Sequence, residues 1–240
     1  MRTLGIIGFG QMAQFMCKFL NDKFNVFASD RDDKSSIAKQ LGVKFVSIEE
    51  AASKEIIILS VPINQIRSTM LRIRNKLREG SLLLDICSVK VNPLKAMLDL
   101  APENIEIIGT HPLFGPQSGA NGIKGLKIVL CPVRTSKTKD IERFCESLGL
   151  EVIICNPEEH DKSIAETQAL EHFIGRALIN IDAQEGKITT PTFSNLMALK
   201  NTFKNDSLDL FRLMEKENPF AKEVRKRFLN ELNKIQEDLE

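Results

Sequence analysis

The feature that most constrains this chain is an alternation. Through the first two-thirds of the sequence, short continuous apolar runs are separated by segments of helical periodicity. Leu4-Gly5-Ile6-Ile7, Asn25-Val26-Phe27-Ala28, Ile56-Ile57-Ile58-Leu59 and Leu82-Leu83-Leu84-Asp85 read as strands. Ile105-Glu106-Ile107-Ile108, Lys127-Ile128-Val129-Leu130 and Val152-Ile153-Ile154 read as three more. Runs of this kind suit strands buried on both faces of a parallel sheet covered by helices. Between the first two strands, Met12, Phe15, Met16, Phe19 and Leu20 lie on one face of a helix. The alternation predicts an α/β fold with a doubly wound, mostly parallel sheet of the Rossmann type.

The pattern changes near Asn156-Pro157, after which no strand is expected. Residues 157–185 read as one long helix, and Thr190-Pro191 marks a break. Leu208, Phe211 and Met214 give a further helical stripe. Asn218-Pro219 starts a last helix, with Val224, Phe228, Leu232, Ile235 and Leu239 on one face. The expected organisation is a dinucleotide-binding domain over residues 1–156 and an all-helical domain over residues 157–240. A helical piece of that size has limited core of its own. It is expected to pack on the first domain or to pair with a second copy as a homodimer.

Gly8-Phe9-Gly10-Gln11-Met12-Ala13 follows the first strand and opens the first helix. This is the G-x-G-x-x-G/A fingerprint in its required context. Gly8 permits the tight turn, Gly10 lets the backbone approach a pyrophosphate, and Ala13 allows close helix–strand packing. The helix N-terminus, entered through Gln11 and Met12, offers free N–H groups and the positive end of a dipole to phosphate. Asp30 ends the second strand at the expected distance, where a carboxylate bonds a ribose 2′-hydroxyl and repels a 2′-phosphate. The adjacent Arg31 would instead hold a 2′-phosphate. NAD is therefore the expected cofactor, with NADP the alternative, and the expected class is a soluble nicotinamide-dependent oxidoreductase.

In open parallel sheets, ligands bind beyond the carboxyl ends of the strands. Ser60-Val61-Pro62 follows the third run and Ser88 the fourth, so both serines are placed to meet cofactor or substrate. A serine there equally suits a helix N-cap. The three histidines are His111, His160 and His172. His111 lies in Gly109-Thr110-His111-Pro112-Leu113-Phe114-Gly115-Pro116, read as a rigid loop just after a strand. A histidine presented there suits general-base work, because its pKa lies near neutrality. His160 and His172, twelve residues apart on one helix, are too far apart for the same turn. Taken alone, each is more often a packed or capped histidine than a catalyst.

Composition narrows the classes. Hydrophobic residues make up 42% and charged residues 27%, ordinary values for a globular chain. Lys plus Arg is 33 against 32 for Asp plus Glu, which gives no field for nucleic acid or an anionic membrane. Cys17, Cys87, Cys131, Cys145 and Cys155 are odd in number and none forms a C-x-x-C pair. No disulfide framework or metal site is expected, and each reads as a small core residue in a reducing compartment. No apolar run reaches the length of a membrane span. The first strand begins almost at Met1, an arrangement that predicts no leader peptide and a cytoplasmic location.

Asp85-Ile86-Cys87-Ser88-Val89-Lys90, the Gly109–Pro116 segment, Glu158-Glu159-His160-Asp161, Gln168 and His172-Phe173-Ile174-Gly175-Arg176 together resemble the prephenate and arogenate dehydrogenases. The motifs occur in family order over roughly residues 3–235, and the chain is most similar to the short plant and cyanobacterial arogenate dehydrogenases. The resemblance implies oxidative decarboxylation of a cyclohexadienol in tyrosine biosynthesis, by a homodimer. It implies His111 as the group that accepts the hydroxyl proton and Ser88 as its partner on the same hydroxyl. It places Gln168 and His172 on a helix that closes the substrate pocket. Asn205-Asp206-Ser207 resembles the segment where arogenate-preferring relatives carry an acidic residue, which makes Asp206 the candidate ammonium contact; a helix N-cap is its other reading. Relatives using NADP tend to carry Ser-Arg where this chain has Asp30-Arg31. No arginine is assigned to the ring carboxylate, though Arg225 and Arg227 are candidates.

Two other classes are weighed. One is a β-hydroxyacid or imine reductase of similar architecture, which would use a catalytic lysine or another polar pair. The other is a cofactor-sensing regulator, which would keep Gly8, Gly10 and Asp30 with no need of Ser88 and His111 together.

Overall fold

The structure is a computed structural model and describes residues 1–204 and 207–240. It divides into two compact units, Met1–His160 and Asp161–Glu240.

The first unit is built on one eight-stranded sheet. Its strands are β1 (Thr3–Ile7), β2 (Asn25–Ser29), β3 (Lys44–Phe45), β4 (Ile56–Leu59), β5 (Leu82–Asp85), β6 (Glu106–Pro112), β7 (Lys127–Arg134) and β8 (Glu151–Ile154). The strand order is β3-β2-β1-β4-β5-β6-β7-β8. All neighbours are parallel except β6 and β7. The helices of this unit are α1 (Gln11–Leu20), α2 (Ser35–Gln40), α3 (Ile48–Ala52), α4 (Ile66–Ile73), α5 (Val91–Leu100) and α6 (Thr138–Ser147), and α7 (Pro157–Ile164) begins at its end. Ile6, Ala28, Ile58, Leu84 and Leu130 form one core with Ala13, Phe15 and Cys17 of α1 and Cys145 of α6. The alternate residues Ile57, Leu59, Leu83 and Ile107 are equally buried. Both faces of the sheet are therefore apolar, which is why its strands read as unbroken apolar runs.

Three sequence expectations need correction. The two-residue strand β3 was not anticipated: it pairs with β2 at the sheet edge, and Lys44-Phe45 is too short for a periodicity signal. His111 does not sit in a loop after a strand. It lies within β6, opposite Val129, because the antiparallel partner β7 extends the ladder through Pro112. The helix expected over residues 157–185 is not uniform. α7 passes into a π-helical segment, Ala165–Ala169, before α8 (Leu170–Asn180). It ends when Asp182 takes a left-handed conformation, φ 49°.

The second unit is helical, with α8, α9 (Pro191–Phe203), α10 (Leu208–Glu217) and α11 (Ala221–Asp238). Thr190 and Ser207 cap α9 and α10 by accepting from Phe193 and Leu210 N–H groups. Ala165, Ala169, Ala221 and Val224 form its small core. Leu229, Leu232, Ile235 and Leu239 stay exposed on α11. No helix among the described residues is long and apolar enough to cross a membrane.

Candidate active site

The strand order reverses beside β1, and the glycine turn leaves β1 at that point. In register across the sheet lie Ile7, Leu59, Asp85 and Gly109. Gly8, Ser60, Ser88 and His111 all follow this row, so the predicted cofactor and catalytic residues come to one carboxyl edge.

Gly8 has φ +92°, and a Cβ there would lie 2.3 Å from the Ser60 backbone oxygen. Only glycine tolerates both the left-handed conformation and the approach to β4. Gly10 caps α1 in an extended conformation, and a Cβ there would meet nothing within 4 Å. That open space above the helix N-terminus fits a pyrophosphate, and no acidic residue occupies the first turn to oppose it. Gln11 at the helix entrance is exposed and Met12 half-buried.

Asp30 has a structural task besides any ribose contact. Its Oδ2 accepts from the Phe9 N–H at 2.6 Å and from Lys34 Nζ at 2.9 Å, and its Oδ1 accepts from Asp32 N–H at 3.1 Å. Burial pushes its pKa up, but Lys34 and the two backbone donors outweigh this and hold the carboxyl below its ordinary value. A carboxylate has about four lone-pair sites, so Oδ1 keeps capacity for a ribose hydroxyl. Arg31 is strongly exposed and lies 3.6 Å from Asp32. The residues present therefore fit a dinucleotide.

Ser60 and Val61 are half-buried and Pro62 is exposed. Pro62, not Ser60, is the cap position of the following 3-10 turn, Ile63–Gln65. Ser88 is half-buried in the turn between β5 and α5.

His111 is 4% exposed and its Nδ1 lies 2.9 Å from Nε2 of His160, itself 2% exposed. Burial, the His160 ring and the Lys90 ammonium hold the His111 pKa well below the ordinary histidine value. The ring is neutral at pH 7, and its Nε2 makes no hydrogen bond among the described residues. Lys90 is fully buried. Its ammonium donates to Asp85 Oδ2, and to the Thr110 carbonyl at 2.7 Å. Thr110 Oγ1 in turn donates to the Asp85 carbonyl at 2.6 Å. The end of β5 is thus clamped to the residue preceding His111.

Sequence reasoning quoted both Lys90 and His160 without giving either a role. For Lys90 no local pattern announces burial. For His160 a signal existed: Asn156 and Glu159 form a reciprocal capping box, which fixes where α7 begins.

In the second unit, Gln168 lies in the π-helical segment with its Oε1 buried and lacking a hydrogen-bond partner among the described residues. π-bulges recur at functional sites. His172 is buried against Phe203, ring centroids 3.8 Å apart. Burial and Arg176 lower its pKa to about 4. Asp206 lies outside the described residues. Arg225 is engaged by Glu215 and Arg227 by Glu166. Among the described residues there is no cluster of His, Cys, Asp and Glu able to hold a metal ion.

A parallel sheet that reverses its order beside a glycine turn defines a doubly wound nucleotide-binding domain, here with a buried histidine pair at the same edge. The chain belongs to the prephenate dehydrogenase family: the pattern of that family's nucleotide-binding domain matches residues 18–154. Residues 177–240 match a second pattern, described as a TYRAAT1-like C-terminal domain. A probable arogenate/prephenate dehydrogenase of Methanocaldococcus jannaschii is 31% identical over 98% of this chain and 56% of its own length. The chloroplastic arogenate dehydrogenase 1 of Arabidopsis thaliana is 32% identical over 87% of this chain and 35% of its own. The chain thus spans about half and about a third of these two curated relatives. The crystal structure of prephenate dehydrogenase from Aquifex aeolicus, in complex with hydroxyphenyl propionate and NAD+, superimposes with a TM-score of 0.80. It is 23% identical and is covered over 90% of its length by 99% of this chain, a likeness of fold.

Proposed function

We propose that this protein oxidatively decarboxylates arogenate or prephenate, giving tyrosine or 4-hydroxyphenylpyruvate, with NAD as hydride acceptor. The observation that carries this reading is a neutral, buried His111 at the sheet edge that also bears the glycine turn. The family and its named relatives support the same reaction.

The substrate carries a C4 hydroxyl and a ring carboxylate. Bound NAD supplies the ring that accepts the hydride. This chain must polarise the hydroxyl, orient its C–H bond and exclude water. His111 takes the hydroxyl proton on Nε2, and Ser88 hydrogen-bonds the same oxygen. As the C4 carbonyl forms, the C1–carboxylate bond breaks, its electron pair passes through the ring to the C4 oxygen, and that oxygen takes the proton back from His111; release of CO2 and aromatisation render the reaction effectively irreversible. Asp30 favours NAD because a 2′-phosphate would meet a carboxylate already held in its charged form. Gln168 offers a buried, unspent acceptor and His172 a neutral ring, both suited to substrate contacts. Asp206 is the proposed partner of an arogenate ammonium group, which makes arogenate the favoured substrate.

The helical unit is proposed to form a homodimer, which would cover the exposed Leu229, Leu232, Ile235 and Leu239 of α11. The free thiols suit a cytoplasmic, reducing compartment. The Lys90 arrangement weighs against a lysine-dependent hydroxyacid dehydrogenase, because its ammonium is fully buried and bonded to Asp85 and the Thr110 carbonyl.

The test is a reduced-nicotinamide absorbance assay with arogenate and prephenate, each crossed with NAD and NADP. Turnover of arogenate with NAD at the highest kcat/KM is expected. Absence of turnover in all four combinations refutes the reading, and a higher kcat/KM with NADP refutes the cofactor assignment.

A further inference from the structure

His160 is absent from the proposed chemistry, yet its position is closely specified. β8 ends at Ile154, and Pro157 occupies the first position of α7, where its fixed φ suits a helix start. Asn156 Oδ1 accepts from the Glu159 N–H at 2.9 Å, and Glu159 Oε2 accepts from the Asn156 N–H at 3.1 Å. The His160 N–H donates to the Asn156 carbonyl at 3.0 Å. The ring is therefore carried on the first turn of a doubly capped helix. It meets His111 edge-on, with ring centroids 5.1 Å apart and an interplanar angle of 63°.

A nitrogen–nitrogen separation of 2.9 Å requires one proton and one lone pair between the rings. There are two ways to supply them, and they have opposite consequences. If His160 donates, the proton of neutral His111 sits on Nε2, and the ring can only donate toward a ligand. If His111 donates from Nδ1, its Nε2 presents a lone pair, and the ring can accept a proton.

We propose that His160 is a positioning residue: its Nε2 accepts the Nδ1–H of His111 and so holds His111 in the one tautomer able to act as a base. The inference rests on the base role of His111 proposed above. When His111 takes up the hydroxyl proton on Nε2, the Nδ1–H bond to His160 persists, so the imidazolium keeps a hydrogen-bonded acceptor. In hydrolytic triads a carboxylate holds this place. Here the acceptor is a second imidazole.

The experiment uses the full chain labelled with 15N-histidine. Long-range proton–nitrogen correlation spectra, recorded above neutral pH, are expected to show a pyrrole-type Nδ1 and a pyridine-type Nε2 for His111. The reversed pattern overturns the proposal. His160→Gln places an amide oxygen near the position of Nε2, whereas the shorter His160→Asn leaves that position empty. With the substrate that wild type turns over, His160→Asn is expected to lower kcat by about 10–100-fold, by analogy with the loss of groups that orient metal-bound histidines, with little change in KM. His160→Gln should restore most of the loss. Wild-type kcat in His160→Asn, or equal losses in two folded variants, overturns the proposal. If neither variant folds, the wild-type spectrum decides. If wild type turns over neither arogenate nor prephenate, the functional reading falls, while the spectrum still tests the tautomer by itself.

Discussion

Lys90 lies wholly inside the first unit with its ammonium shared between the Asp85 carboxylate and the Thr110 carbonyl, one residue before His111. A lysine in such a place has two effects. It ties β5 to β6 at the carboxyl edge, and its positive charge disfavours protonation of His111.

Removing one member of this pair strands the other. Lys90→Met is expected to destabilise the fold by about 3–5 kcal/mol, because Asp85 is left as an uncompensated buried charge. Adding Asp85→Asn, which keeps an acceptor for the Cys87 N–H, should recover most of the loss. Urea unfolding of the single and double variants measures both; equal stability of Lys90→Met and wild type would exclude the clamp.

The two glycines of the turn should fail in different ways. Gly8→Ala forces a side chain into a left-handed conformation against the Ser60 oxygen, and the backbone strain alone is about 1–3 kcal/mol. Gly10→Ala meets no protein atom and should leave thermal stability unchanged. Its methyl group would stand where the pyrophosphate approaches, so NADH binding should weaken roughly tenfold or more, a loss of at least about 1.4 kcal/mol. NADH fluorescence titration beside a melting curve separates the two; unchanged NADH affinity in Gly10→Ala would move the phosphate site elsewhere.

His111→Ala should lower kcat by roughly 10²–10⁴ while the fold persists. In the folded chain the pKa of this ring lies well below the ordinary histidine value. The activity of wild type should therefore persist on the acid side of neutrality rather than falling near pH 6.5. A variant with near-normal kcat would remove His111 from the base role.

His172 carries a stability signature. The unfolded chain binds its proton near pH 6.5, but the folded one only near pH 4, because burial and Arg176 oppose the charge. Between these values the unfolded state holds more protons, so stability is lost as pH falls from 6.5 to about 4. At the two and a half pKa units between them, the loss from this group reaches roughly 3 kcal/mol. His172→Leu should flatten that part of the curve in urea midpoints measured across the range. An unchanged slope would mean that the ring titrates as it does in water.

What the sequence determined by itself is what depends on neighbours along the chain. Apolar runs bounded by helix-periodic segments identify strands covered on both faces, and all seven assigned runs became strands. The glycine turn was legible because its φ, its helix start and its acid at Asp30 all follow from local spacing. The tertiary structure decided the rest. Whether His111 lies in a loop or a strand depended on β7, whose antiparallel pairing forms only after the chain turns back. That Lys90 is buried depended on Asp85 and on a carbonyl twenty residues away, partners that composition treats as ordinary surface charge and backbone. That Asp30 holds the glycine turn through the Phe9 N–H required β1 and β2 to be in register. The pairing of His111 with His160 spans 49 positions and links a strand to a helix. A spacing rule reads contacts along one element, so it could place each histidine but could not bring their rings together.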